Sequence, residues 1–398
     1  MIQRIIQYTA IIFIVNLFYG CSSNENQNQS NNSENMNNKK FHAFVGTYTA
    51  FATNGLEKSK GIYSIYTSPE DGSITLDTLS YAVDNPNFLA LSADEKYLYA
   101  SGDNDTAETI KGVIHAFEVL EDNTLRYINT QSSLGNSACH VALDKNNKFA
   151  FVANYSSGVS AVYNIEANGG LSAPIHKFEF EGSGPHKNQK SSHPHQTTIS
   201  PDNKFAYIPD LGTDRIHAFR ILSDENKVVK ADIEDITLPP GSGPRHMTFH
   251  PNGKFAYVIN ELNSTLQSFE YDAETGFLKK IALYSTLPEG YEDVSYCADI
   301  HIDPSGEFLY GSNRGHNSLV GYKINQNTGE LEVIGHYSVE GNWPRNFAIS
   351  PNGEFVYVAN RKTGNITTLK RDLTTGQLSL VDSSYQDINE PVCVLFSK

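Results

Sequence analysis

One short pattern recurs along this chain, and few architectures can accommodate it. FLALSADEKYLYASGD (88–103), HVALDKNNKFAFVANY (140–155), QTTISPDNKFAYIPDL (196–211), HMTFHPNGKFAYVINEL (246–262), DIHIDPSGEFLYGSNR (299–314) and NFAISPNGEFVYVANR (346–361) can be laid over one another. Each is an alternating strand, a turn built from Asp, Asn, Pro, Ser or Gly, and a second strand with aromatics at alternate positions. The first aromatic of each second strand falls at Tyr97, Phe149, Phe205, Phe255, Phe308 and Phe355. That is a period of about fifty residues with no helical pattern inside it, the signature of a propeller with one four-stranded blade per repeat. One further period upstream stands Phe41, opening FHAFVGTY (41–48). The expectation is an all-β, seven-bladed β-propeller. The first copy lacks an opening strand, but EPVCVLFSK (390–398) matches the opening strands HPHQTTIS (193–200) and WPRNFAIS (343–350). The C-terminal strand should therefore close the first blade and leave no free radial edge.

The rest of the composition bounds the surroundings of that fold. With 398 residues, 39% of them hydrophobic, the chain can bury a large core. Its formal net charge of −15 has the wrong sign for a phosphate backbone, so no nucleic-acid partner is expected. A small anionic substrate stays open, because a few arginines in a pocket outweigh distant screened charges. Beyond Cys21, only Cys139, Cys297 and Cys393 remain, an odd number at wide spacing that reads as buried free thiols.

The first forty residues read separately. MIQRIIQYTAIIFIVNLFYGC (1–21) has a basic residue, a short apolar run and Gly20 before Cys21. Residues 1–20 are expected to be a lipoprotein-type signal peptide, with Cys21 as the lipid-accepting residue. An uncleaved anchor is the competing reading, although the run is short for a spanning helix. Residues 21–40 are Asn- and Ser-rich and are expected to form a disordered polar tether. The folded domain is then 41–398, attached to a bacterial cell-envelope membrane through Cys21, with a monomer expected.

Polar residues in the repeats point to a site. In a propeller the start of strand one and the end of strand two lie at the same rim. The first ring holds Asn87, Cys139, His195, Arg245, Ala298, Arg345 and Val392, and the next position holds Phe88, His140, Gln196, His246, Asp299, Asn346 and Cys393. The ends of the second strands place Thr47, Asp103, Tyr155, Leu211, Glu261, Arg314 and Arg361. His195, Arg245, Glu261 and Arg314 thus come from consecutive blades and face one channel mouth. A polar, self-satisfied channel lining is the bland alternative. His193 and His195 share one side of an extended strand, but Pro194 lies between them and carboxylates are lacking nearby, so no metal is expected. The Asp/Asn turns lack EF-hand spacing. His301, in ADIHID, alternates with Ile300 and Ile302 and reads as a core histidine with a satisfied ring, in preference to a catalytic role.

The motifs HPHQTTISPDNKFAYIPDLGTDRI, GSGPRHMTFHPNGKFAYVINELNS, ADIHIDPSGEFLYGSNRGHNSL and PRNFAISPNGEFVYVANRKTGNI resemble the seven-bladed propeller lactonases over essentially 41–398. That family groups propeller-type bacterial 6-phosphogluconolactonases with fungal carboxy-cis,cis-muconate cyclases. The resemblance implies a cofactor-independent site at His195, Arg245, Glu261 and Arg314, the same residues that the repeat places at one rim. It implies hydrolysis of a sugar lactone, with Glu261 or His195 as base and the other as acid. Arg245 and Arg314 would meet the oxyanion and an anionic group, with Arg345 and His246 as further substrate-binding residues; Arg345 and Arg361 would hold a phosphate if the substrate carries one, or else be exposed rim charges. An exported protein would rarely meet a cytoplasmic sugar phosphate, which leaves open whether the lactone is phosphorylated. The competing readings are a non-catalytic YVTN-type binding propeller at the envelope and a muconate-type lactonising cycloisomerase.

Overall fold

The computed structural model describes residues 40–50, 55, 57–106 and 109–397. The expected signal peptide, nearly all of the expected tether and Cys21 lie outside them. The described strands form seven antiparallel sheets, one per repeat. The innermost strands follow one another around a closed ring, in which Pro391–Phe396 touches both Pro344–Ile349 and Phe88–Leu91. As the sequence predicts, Pro391–Phe396 pairs with Phe41–Thr47, matching Ala43 to Phe396 and Gly46 to Cys393. The chain's two ends therefore share the first blade.

The repeated turn residues have a structural reason. In five of the repeats the residue that opens the turn uses its side chain to accept the N–H of the anchor aromatic. Ser92 does so for Tyr97 at 3.0 Å, Asp144 for Phe149 at 2.7 Å and Ser200 for Phe205 at 2.9 Å. Asp303 does so for Phe308 at 2.8 Å, and Ser350 for Phe355 at 2.9 Å. Each of these five hairpins is thus closed by a short polar side chain mimicking a backbone turn.

The aromatics lock neighbouring blades together. Two residues past the anchor, a tyrosine hydroxyl donates to the carbonyl of a glycine in the outer hairpin of the next blade. The pairs are Tyr99 with Gly169 (2.8 Å), Tyr207 with Gly276 (2.5 Å), Tyr257 with Gly329 (3.1 Å) and Tyr310 with Gly376 (2.6 Å). Phe255 packs flat against Gly329, where a Cβ would stand 2.5 Å from the ring. The core is consequently distributed between blades; the second strands Phe149–Asn154, Phe255–Asn260 and Phe355–Asn360 are buried throughout. The three free cysteines are buried.

The fourth blade departs from the regular pattern. Its innermost strand is cut to Thr198–Ile199, and its outer edge is divided into Lys227–Lys230 and Ile236–Thr237, both paired with Arg215–Leu222. Upstream, Pro194 has no N–H for a ladder and makes only an isolated bridge with Asp210. That irregular approach carries His193 and His195 to the channel.

Candidate active site

Five of the seven innermost strands share a defect that the sequence pattern does not display. In the fifth blade Pro244 pairs with Asn260, but His246 pairs with Ile259, so Arg245 is an extra residue. The same slip leaves Cys139 unpaired in the third blade, Arg345 in the seventh and Val392 in the first. In the sixth it falls between Cys297 and Ile300. A bulge interrupts the alternation of a strand and re-aims the side chains beside it. Successive residues, one at the bulge and one after it, therefore contribute two stacked layers to the channel.

The upper layer encloses a cavity of ≈ 280 Å³ lined by Tyr48, Asn87, Asp103, Ser137, Cys139, Tyr155, His195, Glu261, Arg314 and Arg345. Of the residues expected from sequence, His195, Glu261, Arg314 and Arg345 meet here. Arg245 does not line the cavity; it is 1% exposed and lies behind Glu261. His246 lies in the layer beneath, 2% exposed, so the direct substrate contact expected of it has no counterpart in the lining. Two successive residues beside a bulge do not occupy the same depth.

Glu261 is the centre of the electrostatics. Its Oε2 lies 2.6 Å from Arg314 Nη2 and 3.0 Å from Arg245 Nε. Among the described residues no donor reaches Oε1, which leaves that oxygen for the cavity. Burial would raise the carboxyl's pKa, but Arg314 and Arg245 outweigh it and hold the pKa below the usual value. Arg314 is fixed by Tyr296 O at 3.3 Å and Cys297 O at 2.8 Å, and lies over Trp343, 5.2 Å from its centroid. Trp343 holds a φ of 71°, uncommon for a bulky side chain.

His195 is 4% exposed, and burial together with Arg245 pushes its imidazole well below 6.5, so it is neutral. Its Nδ1 lies 3.9 Å from the Cys139 thiol. Burial pushes that thiol up to about 12, which keeps it protonated and a poor nucleophile. His193 turns away from a shared metal geometry, with Nδ1 2.7 Å from Tyr155 O and its ring stacked on Tyr155 at 4.4 Å. Tyr155 is raised to about 12 by burial and then by Glu261. Arg345 lies over the Tyr48 ring at 5.5 Å, and among the described residues no hydrogen bond or ion pair engages its guanidinium.

Sequence reasoning assigned no role to Tyr48, Asn87, Asp103, Ser137, Cys139 or Tyr155. Four of these occupy the aligned ring positions. Tyr48 falls one residue outside the rings and Ser137 two, where no repeat signal distinguishes them. His301 is not a core histidine in the plain sense: its side chain is 40% exposed and its Nε2 is 2.9 Å from Asp299 Oδ2. Its apolar neighbours Ile300 and Ile302 gave no sign of a partly exposed ring bonded to Asp299.

A cavity of this kind, with an ionised carboxylate, a neutral imidazole and two accessible guanidiniums, is equipped to bind an anionic or carbonyl-bearing molecule and to move a proton. Comparison with known proteins agrees in class. Residues 42–396 match the family described as "Lactonase, 7-bladed beta-propeller". The 6-phosphogluconolactonase of Bacillus subtilis is 33% identical over 309 residues, spanning 77% of this chain and 84% of the relative. That of Formosa agariphila is 37% identical over 311 residues, spanning 77% and 85%. Among solved structures, the periplasmic gluconolactonase of Pseudomonas aeruginosa superposes with a TM-score of 0.85 at 29% identity, covering 90% of this chain and 99% of that one. A protein from Lactobacillus plantarum gives 0.83 at 34%, covering 90% and 100%.

Proposed function

Since the chain belongs to the seven-bladed β-propeller lactonase family, we propose that it hydrolyses a sugar lactone to the open hydroxy acid, in the manner of a 6-phosphogluconolactonase. The observation that carries this reading is the Glu261 carboxylate, ionised by two arginines and open to the cavity through one oxygen.

Glu261 suits the base role better than His195. Protonating His195 would add a positive charge beside Arg245 and Arg345, whereas protonating Glu261 yields a neutral acid. Water on Oε1 gives a proton to Glu261 as its oxygen adds to the lactone carbonyl carbon. The oxyanion faces Arg314 and the His195 imidazole, which stabilise it. Collapse breaks the ring C–O bond, and the alkoxide takes the proton back from Glu261. Arg345, unpaired among the described residues and lining the cavity, would hold an anionic or polar group of the substrate. Arg245 acts through Glu261, from behind.

The amino-terminal segment bears on the substrate. We propose lipid attachment at Cys21 and action at the cell envelope as a monomer, which would favour an unphosphorylated lactone. The Pseudomonas aeruginosa relative is named a periplasmic gluconolactonase. Detergent-phase partitioning of the full chain should be lost in Cys21→Ser; unchanged partitioning would overturn lipid anchoring.

The enzymatic reading is tested by following acid release from glucono-lactone and its 6-phosphate with the 41–398 domain at constant pH. Glu261→Gln and His195→Ala should each lower turnover by ~10²-fold or more with unchanged folding. No acceleration over spontaneous hydrolysis on several lactones would leave a binding propeller instead.

A further inference from the structure

Below the cavity, a buried carboxylate collects an unusual number of donors. Asp299 is 2% exposed. Its Oδ1 accepts from His246 Nδ1 at 2.8 Å and from Ile300 N at 3.0 Å. Its Oδ2 accepts from Asn346 Nδ2 at 2.6 Å, His301 Nε2 at 2.9 Å and Phe347 N at 3.3 Å. Asn346 in turn accepts Val394 N at 2.7 Å, so the network joins the fifth, sixth, seventh and first blades. None of these side chains lines the cavity.

Donor arithmetic fixes how the network is polarised. A guanidinium has donors only. His246 Nε2 lies 3.2 Å from Arg245 Nη1, so Nε2 must be the acceptor and Nδ1 must carry the hydrogen that Asp299 accepts. Arg245 Nη1 gives its other hydrogen to the carbonyl of Ala298, the residue before Asp299. Arg245 is therefore gripped from below by one short segment of the sixth blade, leaving Nε against Glu261. Without the carboxylate, His246 would be free to adopt the other tautomer and set an N–H against the guanidinium.

We propose that Asp299 and His246 are positioning residues: Asp299 fixes the His246 tautomer, and His246 holds Arg245 in the orientation that clamps Glu261. This rests on the reading of Glu261 as the reacting carboxylate. The chain of contacts runs across the channel from Asp299 to the site, and it assigns the second layer a function beyond filling the channel. The other titratable groups facing it are His301, bonded to Asp299, and His140 and His195, whose rings lie 5.6 Å and 5.2 Å from His246.

Three variants test it. Asp299→Asn and His246→Phe should lower kcat by about 10–100-fold with little change in KM, as when an outer partner that orients a buried functional group is lost. His246→Gln keeps one donor and one acceptor and should recover most of the loss. A loosened Arg245 leaves Glu261 with one close cation, so the acid limb of the pH–rate profile should move to higher pH in the first two variants and stay in place in His246→Gln. Unchanged kcat and acid limb in a folded His246→Phe, or an equal loss in His246→Gln, would overturn the proposal. If Asp299→Asn fails to fold, the two His246 variants decide. Nitrogen-15 NMR of the histidine rings is independent of turnover. It should show His246 as the Nδ1–H tautomer, and the Nε2–H form would sink the idea. A wild-type protein inert on every lactone would refute the hydrolase reading while leaving that NMR test of the tautomer intact.

Discussion

Glu261 keeps its charge because two guanidiniums, Arg314 and Arg245, outweigh its desolvation, and burial together with Arg245 keeps His195 neutral. Arg345 is the guanidinium in this group that no acidic or hydrogen-bonding partner engages among the described residues. If it holds an anionic substituent, Arg345→Ala should raise KM for the 6-phosphate by about tenfold, or about 1.4 kcal/mol, the low end for a charged hydrogen bond. KM for the neutral gluconolactone should hardly move. An equal rise for both substrates, measured by initial rates, would remove Arg345 from anion recognition. At this scale the sequence was informative because the site residues repeat a strand position. Aligning the copies put His195, Glu261, Arg314 and Arg345 at one mouth. It could not separate Arg345, which opens on the cavity, from Arg245, which occupies the same ring position and is buried behind Glu261.

The element that decides this is the bulge at the start of the innermost strands. A strand read at period two presents either Arg245 or His246 to the channel; the extra residue lets both contribute, at different depths. The hairpins, by contrast, were plainly written in their Asp, Ser, Asn, Pro and Gly residues. Their outer glycines also serve packing, and this can be measured. Gly329 has a φ of 70° and would place a Cβ 2.5 Å from the Phe255 ring, while Gly290 has a φ of 81° with nothing within 4 Å. Gly290→Ala should cost about 1 kcal/mol through backbone strain alone. Gly329→Ala should cost at least about 1–3 kcal/mol more by overpacking. Equal unfolding midpoints in urea for the two variants would show that the blade-to-blade contact contributes nothing.

For the molecule as a whole, burial of histidines, in the channel and within a blade, sets the response to acid. His115 and His246 are lowered to about 4 by burial, and His140 and His195 are lowered well below 6.5, also chiefly by burial. The unfolded chain would take up these protons near 6.5 while the folded one does not, so stability should fall as pH drops from about 6.5 towards 4. His217 and His301 are raised despite burial, by Asp210 with Asp235 and by Asp299 respectively. Their contribution is complete below 6.5 and is lost as pH rises through their folded values. Thermal unfolding should therefore show the midpoint decreasing between pH 6.5 and pH 4.5; a flat or rising midpoint there would contradict the neutral, buried state of the four histidines. The sequence by itself determined the number of blades, their hairpins and the closure of the ring by the C-terminal strand. Those follow from local turn chemistry and from alternation, and both are encoded in neighbouring residues. Only the tertiary structure decided which arginine faces the cavity, which histidine lies beneath it and how Asp299 polarises the layer below. Those depend on a one-residue slip in strand pairing and on side chains from four blades meeting on one axis, and neither leaves a periodic trace in the chain.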